Sequence, residues 1–433
     1  MSDLKRQVAK GAAWMVLFRL TDRVIGFVST LILARLLVPA DFGVVAMAIS
    51  ILAALELLSA FSFDIALIQN PNAERKHFDT AWTFGILFGA FNALCMCALA
   101  IPAAHFFGEP RVEALMYVFG LCSFIQGFEN VGIVAFQKNL ELHKEFVFSI
   151  SKRLAGFVTT ITLALLTGSY WSLAVGTLVI KVVGVALSYY VHPYRARLSL
   201  AAASELLHFS KWLLLNNFLI FLNNRGTDFI IGRLQGASAL GVYSMSYELS
   251  NLPTTELVWP IQRAVFPGYT KVADDLVKLR SFFIQVIGFL CLLTVPAGAL
   301  LGLAAEPVVQ VLLGPKWASA VPLIQVLAVF GIVRAMHGPT GSVFMAIGKP
   351  FVVAVNQSVQ IISAVALMFV LIPRMGTIGA AWAILAGALL ALLSSYFLLT
   401  RLVKLPVAPL IAAVWRPVLG GVCMWLFTHW LEN

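Results

Sequence analysis

The chain has 433 residues, of which 60% are hydrophobic and only 12% charged, with a mean hydropathy of +0.91. Such a composition cannot wrap a solvated surface around a core, which excludes a soluble globular enzyme and makes lipid the solvent. The net charge of +10 does not mark a nucleic-acid binder, because the basic residues sit in short links between apolar runs and not on one face.

At the start, Lys5, Arg6 and Lys10 precede an apolar segment of more than 25 residues without a small-residue cleavage site, an uncleaved first span by expectation. Runs able to cross about 30 Å of hydrocarbon as helix are predicted near 11–37, 43–68, 80–104, 112–136, 146–166 and 170–191. After the link HPYRARLSLAAASELLHFS, further runs fall near 211–231, 240–266, 281–305, 318–346, 350–373 and 376–399, and a thirteenth near 408–430. Period-2 alternation is absent, so helices are expected and a barrel is not. The link AEPVVQVLLGPKW, 305–317, reads as a short interfacial helix ending in Trp317. The five cysteines lie inside apolar runs with no zinc spacing.

An internal echo orders these runs. Ile32, Arg35, Leu36, Gly43, Val44 and Met47 recur 198 residues later as Ile230, Arg233, Leu234, Gly241, Val242 and Met245. Six spans per half is an even number, so the halves enter the membrane in the same sense as parallel repeats. The expected fold is an all-α polytopic membrane protein of two six-helix lobes, 1–200 and 201–400, with a thirteenth C-terminal hydrophobic helix in 401–433. Sixteen Lys and Arg fall in links on the N-terminal side, against Arg35, Arg111, Arg233, Lys316 and Arg374 on the other, which predicts a cytoplasmic N-terminus. No link exceeds about 20 residues, too few for a soluble catalytic domain.

Ionisable residues inside spans cost roughly 2.5–3.5 kcal/mol each, which makes them functional candidates. Arg19, Asp22 and Arg23 share one face of the first helix at i, i+3 and i+4. Either Asp22 neutralises one arginine while the other reaches toward the cytoplasm, or the face lines a cavity that receives an anion. The seventh run carries Asn217, Asn224 and Asp228 on one stripe, with Arg225 three residues from Asp228, a polar face toward either a wet interior or close interhelical contacts. Glu248 and Glu256 lie eight residues apart in a run interrupted by Pro253 and Pro260, with Arg263 seven further on. Glu56 and Asp64 repeat that spacing. These acids either pair with neighbouring arginines or couple transport to a proton or cation. Arg334 and His337 precede Gly338-Pro339, His337 as a packing residue or a proton relay. No P-loop, HExxH, nucleophile elbow or dinucleotide fingerprint is present, so neither a cofactor nor a catalytic step is expected.

The segments KGAAWMVLFRLTDRVIGFVST, LILARLLVPADFGVVAMA, IIGRLQGASALGVYSMSYELSNLP, RAVFPGY and VVQVLLGPKWASAVPLIQVLA carry a resemblance. From about residue 5 to 400 the chain resembles the Wzx-type polysaccharide exporters, the oligosaccharide-lipid flippases of the multidrug/oligosaccharidyl-lipid/polysaccharide exporter superfamily. The resemblance implies two six-helix lobes around a central cavity, alternating access, and an undecaprenyl-pyrophosphate-linked repeat unit as cargo. It also implies the bacterial inner membrane, with a polysaccharide polymerase and chain-length machinery as partners. Cavity arginines of such flippases on the first and eighth helices correspond by span to Arg19, Arg23 and Arg263. The thirteenth run departs from the usual twelve or fourteen. A small-molecule or drug antiporter of the same fold is the rival, and the basic face of the first helix speaks against an organic-cation cargo. A membrane glycosyltransferase or polymerase is disfavoured because no long external loop exists.

Overall fold

In the computed structural model the predicted apolar runs fall mainly on helix among the described residues, where no strand occurs. The structure describes residues 2–58, 63, 67, 68, 70 and 73–432; for residues 2–9, 12, 58, 205–220, 224, 253, 255–257, 259, 425 and 427–432 it describes the backbone alone. Asp64 lies outside the described residues, as do the side chains of Asn217, Asn224 and Glu256.

The helices are α1 Ser2–Leu36, α2 Pro39–Leu58, α3 Arg75–Phe107, α4 Arg111–Gly127, α5 Val134–Lys138, α6 Leu142–Thr167, α7 Trp171–Val191 and α8 Ala203–Lys271. They continue as α9 Leu276–Leu303, α10 Ala305–Val308, α11 Val321–Ala346, α12 Pro350–Met375, α13 Thr377–Leu402 and α14 Val407–Glu432. Nine helices among the described residues are long and apolar enough to cross a membrane, ten if α4 and the segment 131–138, bent by 66°, form one span. Helices α1 and α8 are not among these nine, and the full twelve-plus-one arrangement belongs to the proposal below.

Three local outcomes differ from the sequence reading. The prolines at 253 and 260 do not interrupt α8; its one non-helical residue is Gly236, at φ 78° and ψ −176°, a conformation open to glycine alone. Subtracting the repeat offset of 198 from 236 gives Val38, which lies between the ends of α1 and α2, so both hairpins turn at the same aligned position. Second, the run 112–136 breaks at Asn130. Its side-chain oxygen caps the Gly132 N–H at 2.9 Å, while its Nδ2 donates to the carbonyls of Tyr194 (2.8 Å) and His192 (3.3 Å). Third, Trp317 is fully buried within the protein, three residues after Gly314 with its φ of 97°.

By packing, the chain divides into two compact units, 1–238 and 239–433. The partition at residue 200 expected from the repeats rests on a different criterion. In the first unit α3 and α4 approach through glycines: a Cβ on Gly127 would lie 2.6 Å from the Gly85 carbonyl oxygen, and one on Gly89 2.7 Å from that of Ser123. The segment after α7 is strapped along the first turns of α3. The Tyr194 hydroxyl (2.6 Å) and the Arg197 N–H (2.9 Å) donate to Asp79 Oδ1, and the Ser199 N–H donates to Thr83 Oγ1 (2.9 Å). Side chains of α3 thus satisfy backbone groups that no ladder could satisfy. The first arm of α8 packs in this unit too: Phe229 stacks on Phe107 at 6.1 Å, and a Cβ on Gly43 would overlap the Ala237 carbonyl oxygen.

In the second unit Leu279, Phe283 and Leu290 of α9, Val343 and Phe344 of α11, and Leu399 of α13 form a core, with Leu410 and Val414 of α14 packed against it. The Arg280 Nε donates to the Val403 carbonyl at 2.6 Å. The thirteenth run is therefore a helix seated on α9, where a Cβ on Gly421 would meet Val295 at 2.9 Å.

Candidate functional site

Helices α1 and α6 run side by side in the same direction. Gly11 faces Leu142, Trp14 meets Phe146 at 5.1 Å, Asp22 meets Arg153, and Leu33 and Leu37 cluster with Ala164. This register fixes the charges. Arg19, Asp22, Arg23 and Gly26 recur at i, i+3, i+4 and i+7 on one face of α1. The Arg153 Nε lies 3.3 Å from Asp22 Oδ1, and its Nη2 lies 3.1 Å from where a Cβ of Gly26 would be.

Asp22 therefore reaches a guanidinium on another helix, a partner that sequence reasoning did not single out. A side chain on a parallel helix can approach the carboxylate head-on, whereas neighbours one turn away on α1 approach only along the surface. The signal available in the sequence was Lys152-Arg153 inside an apolar run with no acid one turn away. Both members of the pair stay about half exposed, 44% for the Asp22 side chain and 42% for that of Arg153, and Arg19 is exposed. Arg19, Arg23 and Asp22 thus share one face of α1 with Arg153 of α6 against it, and guanidinium groups can give paired, charge-assisted hydrogen bonds to a phosphate.

The seventh-run candidates form a different arrangement. Arg225 Nη1 donates to Asp228 Oδ2 at 3.2 Å within one helix, with the Asp228 side chain only 8% exposed. In the second unit Arg334 donates to the Tyr247 hydroxyl at 3.2 Å and lies over the Phe330 ring, and His337 Nε2 is 3.0 Å from Ser395 Oγ. Both are engaged in packing contacts. Glu248 and Arg263 are exposed, and no ion pair joins Glu248 to Arg334 among the described residues. Glu56 is exposed beside a cavity of the first unit. Outside the spans, Arg111 grips Glu109 with two hydrogen bonds of 2.9 and 2.8 Å, which hold that carboxyl below its usual range, and reaches Asp41 at 3.7 Å.

The chain is similar to known proteins over most of its length. It is 27% identical over 406 residues to an uncharacterized membrane protein in the cps region of Klebsiella pneumoniae, covering 92% of this chain and 83% of that one. It is 26% identical over 352 residues to the lipopolysaccharide biosynthesis protein WzxC of Escherichia coli (strain K12), covering 79% and 71%. Its fold matches the lipid II flippase MurJ in an inward closed conformation, with a TM-score of 0.72 and 12% identity over 95% of this chain and 93% of that one. The model of the polysaccharide biosynthesis protein family matches residues 32–322, so the chain is a polytopic, all-helical member of that family.

Proposed function

We propose that this protein is a flippase that moves a polyprenyl-pyrophosphate-linked oligosaccharide repeat unit across the bacterial inner membrane by alternating access, serving exopolysaccharide, capsule or O-antigen synthesis. The observation that carries the proposal is the α1–α6 face, where the half-exposed Arg153 meets Asp22 one turn from the exposed Arg19. A pyrophosphate leaving water needs fixed donors in place of its hydration, and guanidinium groups held on helices supply them at low local dielectric. Asp22 limits the uncompensated charge of the empty site. The relative named for lipopolysaccharide biosynthesis supports a glycan cargo, and a basic face disfavours the organic-cation antiporter.

The proposal includes two six-helix lobes as parallel repeats with a thirteenth helix, a cytoplasmic N-terminus, and a polymerase and chain-length machinery as partners. Arg263 and the Asn224–Arg225–Asp228 stripe belong to the proposed cavity, and Glu248 and Glu256 are its coupling candidates. Export by a deletion strain carrying Arg19→Ala or Arg23→Ala tests it. We expect polymer export to vanish while membrane levels stay normal, with Lys rescuing poorly because an ammonium lacks the planar fork. Export equal to the parent's from both Ala variants would remove the anion site.

A further inference from the structure

A cavity of about 580 Å³ lies within the first unit, walled by α2, α3, α4, α6 and the bend after α4. Its size is that of a small-molecule pocket and far exceeds what one ion needs. Among the described residues no cluster of His, Cys, Asp or Glu is arranged to hold a metal.

The wall combines two chemistries. One is aromatic: Phe63, Phe84 and Phe88 stack in series, with centroids 5.1 Å apart for Phe63–Phe84 and 5.8 Å for Phe84–Phe88, and Phe63, Phe88 and Trp82 line the space. The other is a set of groups that both donate and accept: Glu56, Asn92, Gln126, Glu129 and Lys152. Lys152 lies 3.3 Å from Glu129, and Lys181 donates to the neutral Gln126 at 2.6 Å. The wall thus mixes donors and acceptors and does not present a cluster of one charge. Polar walls in a membrane-embedded bundle are costly unless water or a polar guest satisfies them. A sugar fits both halves of the wall, with C–H faces for aromatic rings and hydroxyls for carboxylates, amides and an ammonium.

The position on α6 adds a second argument. Lys152 lines the cavity and the next residue, Arg153, holds Asp22 on α1. Consecutive helical residues point roughly 100° apart, so α6 presents the saccharide-like cavity and the arginine face on adjoining sides. A phosphate joined directly to a sugar has the same adjacency.

We propose that this cavity is a saccharide subsite that takes the sugar portion of the lipid-linked cargo while the arginines of α1 and α6 take its phosphates; the inference rests on the anion-site reading above. The test is binding to the full-length protein in nanodiscs, with two probes: undecaprenyl pyrophosphate without sugar, and the undecaprenyl-pyrophosphate-linked repeat unit extracted from a strain lacking the exporter. Phe88→Leu and the isosteric Glu56→Gln should each weaken binding of the sugar-bearing lipid by about tenfold, and leave the bare pyrophosphate lipid within about twofold of the parent. Equal weakening for both probes, or none for either, overturns the saccharide subsite. Arg19→Ala and Arg153→Ala should weaken both probes; if they weaken neither, it is the anion site that fails. Glu56→Gln keeps the test valid should Phe88→Leu not fold.

Discussion

The first helix of each repeated hairpin carries an arginine and an aspartate, yet the two pairs are built differently. On α1, Asp22 crosses to Arg153 of another helix, and both side chains stay about half exposed. On the first arm of α8, Asp228 is buried and paired with Arg225 three residues away on the same helix. The repeat offset of 198 aligns Arg19, Asp22 and Arg23 with Asn217, Ile220 and Phe221, so the charges are not repeated although the turns at Val38 and Gly236 are. The turn position recurs at that offset while the polar face does not. An accessible cross-helix pair can exchange its partner for a ligand, whereas a buried pair within one helix serves mainly to neutralise itself.

Three comparisons test this contrast. Arg153→Ala should cut export at least about tenfold, with little change in melting temperature, because half-exposed pairs contribute only about 0–1 kcal/mol to stability. Export at the parent's level would reduce the α1–α6 contact to packing. The shared turn comes next. Gly236→Ala should cost about 1–3 kcal/mol, since its backbone conformation excludes a Cβ, while Val38→Ala at the aligned position leaves the melting temperature of purified protein nearly unchanged. Equal shifts from both would mean that the left-handed backbone of Gly236 does not set the cost. The smallest effect belongs to the buried pair. Arg225→Met should destabilise by about 1–2 kcal/mol, because Asp228 then lacks its hydrogen bond, and Asp228→Asn by less than about 1 kcal/mol, because Arg225 is 42% exposed and can turn to water. Export per folded molecule should fall less for both than for Arg153→Ala, because the pair lines the proposed cavity without forming its anion site; an equal loss in Arg225→Met would place it in the anion site as well.

Much of the fold was legible because hydropathy acts locally. The all-helical character and the helical nature of 408–430 follow from composition and spacing alone. The prolines at 253 and 260 misled because a proline costs one donor and some strain but does not compel a break when neighbours hold the helix. Gly236, inconspicuous among 31 glycines, makes the turn instead.

Of the candidate site, the face of Arg19, Asp22 and Arg23 was visible because helical spacing alone aligns i, i+3 and i+4. Arg153 was not, since its role depends on which helix lies beside α1 and in what register, and no local pattern encodes that. The same holds for the strap, where Asp79 and Asn130 look like ordinary polar residues until residues 192–202 are laid across them. The sequence by itself determined that the chain lives in lipid, that it is helical, and that one face of its first helix is basic, because each follows from solvent and period. Only the tertiary structure decided that Asp22 answers to Arg153, that Trp317 is buried, and that α6 stands between an arginine face and a polar cavity. Those outcomes depend on contacts between residues tens to hundreds of positions apart, whose pairing is set by packing and not by any local preference.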